Sequence, residues 1–584
     1  MNRLSLASSL MILGGITGLF ASAQSSPNGL IQVNLINDST LAVSNGIGNQ
    51  RVTLMNIECG EVATVKNKGK SKVKYEMVTG KRHHCSNSYS MADYILENGD
   101  TLTVKAFNDG IAWSGCHDYK INVKDASHDW LMTWTDSYEG FFPKDRNDIA
   151  KDTRIGYPSL FEFNNDMFML LSESGLDRFN AASSMYAGDN RNIFHICPDG
   201  SENGAWQVAI IGHLADIVES TLINDAALPS RIDDTSWIKP GVASWIYWAN
   251  NHGSNDYGII KSYVDMAREL RLPYVLIDAE WDEMKDGYTV LDAVNYAKSN
   301  GIKPMIWYNS SVGWIHGAPG PKFRLNTPED REREFAWCKE NGIAGVKIDF
   351  FSGDTNMNIN YMVDLLECAA RHKLLVNFHG ATIPRGLQRT YPNLISVEAV
   401  YGAEWYNNVP TFTDMAASHN ATLPFTRNVI GSMDYTPCAF TNSQHPHITT
   451  DGHELALTVL FESGIQHLAD RPESFLSQPQ EIKDFLSELP SAWDNTVLLG
   501  GYPADYIVIA RQKGSDWYIA GINGNDTEKE LEIDHSRLKI NKKAKVKVIS
   551  DNHDEKSWLI KDADSIPTKI KTNPHGGFVI HIKK

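Results

Sequence analysis

The sequence predicts an α/β protein with flanking all-β domains: an N-terminal β-sandwich, a central (β/α)8 TIM barrel and a small C-terminal β-domain. Three textures along the 584 residues predict it. Short alternating runs fill the chain to about residue 235, apolar runs alternate with helical segments to about residue 490, and alternating runs then return. The expected domains are 24–235, 236–490 and 491–584, preceded by a leader at 1–23.

The leader, "MNRLSLASSLMILGGITGLFASAQ", has Arg3, an apolar middle and small residues at Ala21 and Ala23. That is the pattern of a cleaved secretory signal, so the mature chain is expected to begin near Gln24. In the first domain, runs such as "GLIQVNLI", "SKVKYEMV" and "TLTVKAFN" are broken by Gly, Asn and Asp, as sandwich strands are. The barrel strands are expected in "GVASWIYWAN", "PYVLIDAEW", "KPMIWYNS", "AGVKIDFF", "KLLVNFHG", "NLISVEAVY", "TLPFTR" and "IQHLAD". Most are separated by segments of crossover-helix length, and continuous apolar strands belong to a parallel sheet covered on its faces. Eight such units close most economically into a barrel. An open doubly wound sheet is the alternative, and it lacks its Gly-rich phosphate fingerprint here. The last domain rests on "YIVIARQKG", "DWYIAGINGN" and "KAKVKVISD".

Composition narrows the partner. A net charge of −17 with no basic block argues against nucleic acid, which is bound through Lys and Arg. No segment after the leader is long enough to span a bilayer. Seven scattered Cys are no disulfide framework, although Cys59 could pair with Cys85 or Cys116, and neither CxxC nor HExxH spacing suggests zinc. A small neutral ligand is expected.

Barrel sites collect at the C-terminal ends of the strands. Those ends carry Trp248, Asp278, Glu280, Trp281, Trp307, Asn309, Asp349, His379, Glu398 and, just beyond, Glu404. Lys347 and Asp349 are two apart in "GVKIDFF" and point to one side, either as an internal ion pair or as working groups. Paired carboxylates facing tryptophans are the equipment of glycoside hydrolysis: rings stack on the sugar, one carboxyl protonates the departing oxygen, and the other attacks carbon or activates water. Lys347 would favour the Asp349 anion. Asp278 and His379 are candidate contacts for sugar hydroxyls, and Trp248 and Trp307 for its apolar face.

The stretches "DTSWIKPGVASW", "GVKIDFF", "NFHGATIPRGLQRTYPNLISVEAVYGAEWY" and "LPFTRNVIGSMDYTP" resemble glycoside hydrolase family 97, as do "DGIAW" and "YPSLFEF…LLSESGL". The resemblance implies a calcium-dependent exo-acting α-glycosidase of the bacterial periplasm or envelope. It places a nucleophile at Asp349 and the acid/base at Glu404, with Glu173, Glu398 and Glu404 as ligands of Ca2+. Asn377 is a further candidate for that shell. In the inverting branch a catalytic Glu follows the strand-five His, where this sequence has Gly380 after His379. The resemblance therefore implies the retaining branch and a substrate with a terminal α-galactoside. A β-L-arabinopyranoside, an inverting α-glucosidase and a sugar-binding protein without turnover are the alternatives.

Overall fold

Alternation becomes a sheet in the first domain. In Thr101–Phe107 every second side chain is buried, and the strand pairs antiparallel with His84–Leu96 on one edge and Gly110–Ser114 on the other. The structure, a computed structural model, describes residues 23–584 except 48–49, 116–117, 147–148, 165, 200–203, 542 and 553–556. The expected leader lies outside these residues apart from Ala23. Strands from Ala23–Ser25 to Trp206–Gly212 form one 15-stranded antiparallel sheet that folds over itself as the sandwich. Between Thr133 and Arg154 the chain leaves the strands, and this excursion carries Tyr138 and Glu139 to the mouth of the next domain.

The barrel strands are parallel and, apart from Lys303 at the start of the third, buried. They run Gly241–Trp245, Tyr274–Ile277, Lys303–Asn309, Gly345–Asp349, Leu375–Phe378, Leu394–Val397 and Ile465–Leu468, with the last paired to the first. Their helices begin where the sequence offers caps. Asp256 accepts from the amides of Gly258 and Ile259 at 2.8 and 3.1 Å, and Thr327 caps a helix with Pro328 in its first turn.

One expected strand is absent. "TLPFTR" forms two short 3-10 turns, Leu423–Phe425 and Arg427–Val429, and the seventh place holds a single parallel bridge, Val397 to Met433. Arg427 supplies what the strand would have. Its buried guanidinium donates to the carbonyls of Val397, Glu398 and Ala399 at 3.0, 3.0 and 2.9 Å and to those of Gly431 and Ser432 at 3.1 and 3.2 Å. Carbonyls of the sixth strand's end are thereby satisfied, as buried backbone groups must be.

The C-terminal domain is a six-stranded antiparallel sheet with a separate two-stranded ribbon. Arg511 fastens it to the barrel by donating to the carbonyls of Val459 and Leu460, both at 2.7 Å. No disulfide joins Cys59 to Cys85, both of which are free thiols, and Cys116 lies outside the described residues. Among the described residues no helix is long and apolar enough to cross a membrane.

Candidate active site

The fourth strand ends at Asp349, and the chain then turns through Phe350 at a φ of 64°. That turn lets the Phe350 amide donate back to Asp349 Oδ1 at 2.7 Å, while the Trp307 indole donates to Oδ2 at 3.1 Å. Lys347 reaches both neighbours from the same face of its strand: its Nζ lies 3.0 Å from Asp278 Oδ2 and 3.9 Å from Asp349 Oδ2. The Trp245 indole adds a second donor to Asp278 Oδ2 at 2.8 Å. Burial works against the Asp278 anion, but Lys347 and these donors hold its carboxyl below the usual range. Burial lifts Asp349 above its usual value, against the pull of Lys347 and His379 toward the anion.

These groups line a small cavity of about 90 Å³. Its walls include Tyr247, Asp278, Trp307, Lys347, Asp349 and Glu404. Burial, then the nearby Glu398 and Asp349 charges, push the Glu404 carboxyl up to about 8, against Lys347. That direction favours the protonated form, the state a general acid needs.

Beside the cavity a second group of charges is threaded on hydrogen bonds. His379 sits between Glu398, at 3.1 Å from Nδ1, and Asp434, at 2.7 Å from Nε2. The same Asp434 oxygen lies 2.6 Å from His467 Nδ1 and accepts from Asn377 at 3.0 Å. Burial disfavours the His379 cation, but Glu398 and Asp434 hold its pKa up at about 10. Glu139 arrives from the sandwich excursion, accepts from the Trp405 indole at 2.6 Å, and is pushed well up by burial and by the charges of Glu398 and Glu404.

Gly380 closes the group. A Cβ there would stand 2.8 Å from the Phe350 amide nitrogen and 2.9 Å from Asp349 Oδ1, on a backbone with φ of 49°. The site therefore has room for a carboxylate at 349 or for a side chain at 380, not for both in this arrangement.

Three family models match the chain in succession: Glycosyl-hydrolase 97 N-terminal over 25–229, Glycoside hydrolase 97 over 237–400, and Glycosyl-hydrolase 97 C-terminal, oligomerisation, over 492–583. The chain belongs to glycoside hydrolase family 97. It is 38% identical over 409 residues to a probable retaining alpha-galactosidase of Streptomyces bingchenggensis, covering 67% of this chain and 61% of that protein. It is 31% identical over 360 residues to a retaining alpha-galactosidase of Bacteroides thetaiotaomicron, covering 58% and 53%. The matches thus span between half and two thirds of those relatives' length. A solved structure described as beta-arabinopyranosidase superposes with a TM-score of 0.84 at 25% identity, covering 96% of this chain and 100% of that one.

Within this family 97 chain the expected site residues sort into three sets. Asp349, Glu404, Lys347, Asp278 and Trp307 come together around the cavity. Glu398 and Glu404 meet beside it, and one ligand atom each of His379, Glu398 and Glu404 lies within 4.8 Å of the others. Asn377 joins the charges beside the cavity through Asp434, whereas Trp248 and Glu173 go elsewhere.

Trp248 is a core residue whose indole donates to the Ala403 carbonyl at 2.9 Å, so it has no face for a sugar. Glu173 is fully buried on its sandwich strand. It is ion-paired with Arg385 and accepts from the Ser183 amide at 3.0 Å and from Gln207 at 3.3 Å. Its oxygens are committed to these donors, and it joins no acidic cluster among the described residues. Arg385 also donates to Asp354 at 2.8 Å and to Tyr138 at 2.7 Å, and Tyr138 donates to Asp354 at 2.8 Å. Glu173 thus belongs to the tie that fixes the residue before Glu139. The Asn377 amide nitrogen donates to Asp434 at 3.0 Å, while its Oδ1, the atom a cation would take, is buried without a hydrogen-bond partner among the described residues. Glu139, Asp434, His467 and Tyr247 are the site residues that sequence reasoning missed. Asp434 stands inside the quoted "GSMDYTP" and His467 inside "IQHLAD", so both were visible as polar residues in apolar barrel segments.

Proposed function

We propose that this chain is a retaining exo-α-glycosidase acting on terminal α-galactosides. The observation that carries retention is the exclusion between Asp349 and a side chain at 380: Asp349, not a group at 380, faces the cavity with Glu404, while Asp278 on the same wall is ion-paired with Lys347. Asp349 attacks the anomeric carbon while Glu404 gives its proton to the departing oxygen. Glu404, now the base, takes a proton from water, which displaces Asp349 and restores the starting configuration. Lys347 and the Trp307 indole stabilise the Asp349 anion before attack and as it leaves. The relatives described as a retaining and a probable retaining alpha-galactosidase support galactose as the sugar.

Calcium belongs to the same proposal. Glu139 from the sandwich, with Glu398 and Glu404 from the stretch after the sixth strand, carries hard oxygens toward one place, and the crowding that lifts Glu139 is what a cation would relieve. These three would hold it, and bound there it would supply positive charge beside the acid. Export to the periplasm, read from residues 1–23, is part of the proposal too.

A second reading has its own support. The beta-arabinopyranosidase likeness runs along the whole chain, and that sugar matches galactose around the ring but lacks the exocyclic carbon. A panel of p-nitrophenyl glycosides with calcium present, followed by proton NMR of the first-formed sugar, tests both. Galactose released as its α-anomer is expected. Arabinopyranose alone would favour the second reading, inverted product would remove the retaining assignment, and absence of turnover would leave a sugar-binding protein.

A further inference from the structure

The proposed chemistry uses the floor of the cavity and leaves one feature of its mouth without a role. Trp314 lines the same cavity as Asp349 and Glu404, yet its side chain is 52% exposed. Exposed tryptophan is costly in contact with water, since its large apolar ring gains most from burial. Its one polar atom is already used within its own loop, where Nε1 donates to the His316 carbonyl at 2.8 Å. What it offers to solvent is apolar ring surface.

The ring is held rather than loose. Asn309, at the end of the third strand, donates to the Trp314 carbonyl at 3.3 Å and to the Pro319 carbonyl at 3.4 Å. Lys322 donates to the Ala318 carbonyl at 2.8 Å, and the Gly313 amide donates to the Phe350 carbonyl at 3.0 Å. Gly313 is required for that approach, because a Cβ there would stand 2.4 Å from the Phe350 oxygen. The Phe350 ring lies edge-on to Trp314 at 4.9 Å and edge-on to Trp307 at 5.7 Å. Three aromatic rings therefore lead from the indole that bonds the Asp349 carboxylate, which is fully buried, to the one at the mouth, which is half in water.

We infer that Trp314 is the platform for the leaving group: it stacks on the ring attached to the scissile oxygen, either a second sugar or an aryl group. The inference rests on the glycosidase reading and adds a subsite to it. A pre-positioned ring loses little freedom on binding, so stacking there adds to transition-state affinity without an ordering cost. Apart from Phe350, whose amide also holds Asp349, the residues that hold the ring are distinct from those around the reacting carboxylates. The platform should therefore be felt only by substrates that have a ring to place on it.

The test compares kcat/KM for three substrates of one sugar: α-galactosyl fluoride, p-nitrophenyl α-galactoside and a galactosyl-1,6-linked disaccharide. Trp314→Ala should leave the fluoride within about twofold of the native enzyme and lower the two ring-bearing substrates about tenfold, as loss of an aromatic stack predicts. Trp314→Phe, which keeps a smaller ring, should fall between. Loss on the disaccharide alone would assign the platform to sugars, and loss on the aryl glycoside alone to aryl groups. Equal loss on all three substrates would show that Trp314 supports the cavity itself, and no loss on any would show that the ring is idle; either overturns the inference. If the native enzyme releases a different pyranose, the galactose reading fails, and the same comparison with that sugar's fluoride and ring-bearing glycosides decides the platform. A native chain that turns over none of them overturns both.

Discussion

Replacing Gly380 by alanine adds one methyl group and tests the geometry that assigns the nucleophile. The new Cβ would stand 2.8 Å from the Phe350 nitrogen and 2.9 Å from Asp349 Oδ1, where ordinary contact begins at 3.4 Å. Backbone and carboxylate must together yield by about half an ångström. A misplacement of about 1 Å near reacting atoms costs about 10²-fold, so half of that predicts a loss in kcat of about tenfold or more. The left-handed φ of 49° adds about 1–2 kcal/mol for a residue other than glycine, a fall of a few degrees in Tm. The variant should therefore remain folded at 25 °C, where its kcat on p-nitrophenyl α-galactoside is measured beside a melting curve. Unchanged kcat in a folded Gly380→Ala protein would show that the carboxylate at 349 does not need the space, and the argument for retention from this exclusion would fall.

Other expectations are open to direct measurement. Asp349→Gly should lose turnover, and azide should restore it with an α-galactoside bearing a good leaving group, giving β-galactosyl azide; full activity without azide would remove Asp349 from the mechanism. Glu139→Gln should weaken calcium binding about 10- to 100-fold in a chelator competition, whereas Glu173→Asp acts only through Tyr138 and should weaken it less; the reverse order would return Glu173 to the shell. Burial, then the nearby Asp109 charge, pushes the Asp225 carboxyl up to about 6, above the ordinary carboxylate range. Its contribution to stability is present at low pH and lost as pH rises through about 6, about 3 kcal/mol in all. Asp225→Asn should accordingly narrow the Tm gap between pH 5 and pH 8, across which about half of that contribution is lost, by about one to two degrees in a chain of this size, and an unaltered gap would refute that account.

The barrel was legible where one local rule decides the outcome. Continuous apolar strands can lie only in a covered sheet, and Lys347 and Asp349 face one way because strand periodicity is two. "TLPFTR" obeyed the same hydrophobic rule and still failed, because Arg427, inside that very segment, replaces strand pairing with side-chain donors. Glu173 and Glu139 show the limit more sharply. The first sits in "LLSESGL" and reads as a loop carboxylate, but its burial depends on Arg385, more than two hundred residues later. The second sits in "SYEGFF", a stretch without periodicity, and acquires meaning only through Trp405, Glu398 and Glu404. Trp248 and Trp307 look alike in sequence, and only the partner of each indole separates core from site.

The tie among Tyr138, Asp354, Arg385 and Glu173 gives the two larger domains a shared fate. Arg385 and Asp354 belong to barrel loops, whereas Tyr138 and Glu173 belong to the sandwich, so the bonds cross a boundary that a gene could otherwise cut. The barrel expressed alone would keep its strands and lose an acidic wall of its own site. It would also expose a guanidinium and a carboxylate evolved for burial. Heating should expose the same dependence from the other side: activity will end when the domains part, even while the barrel's own helices persist. The inheritable unit of catalysis in this chain is accordingly the joined pair, and a barrel borrowed from it for another scaffold would arrive incomplete.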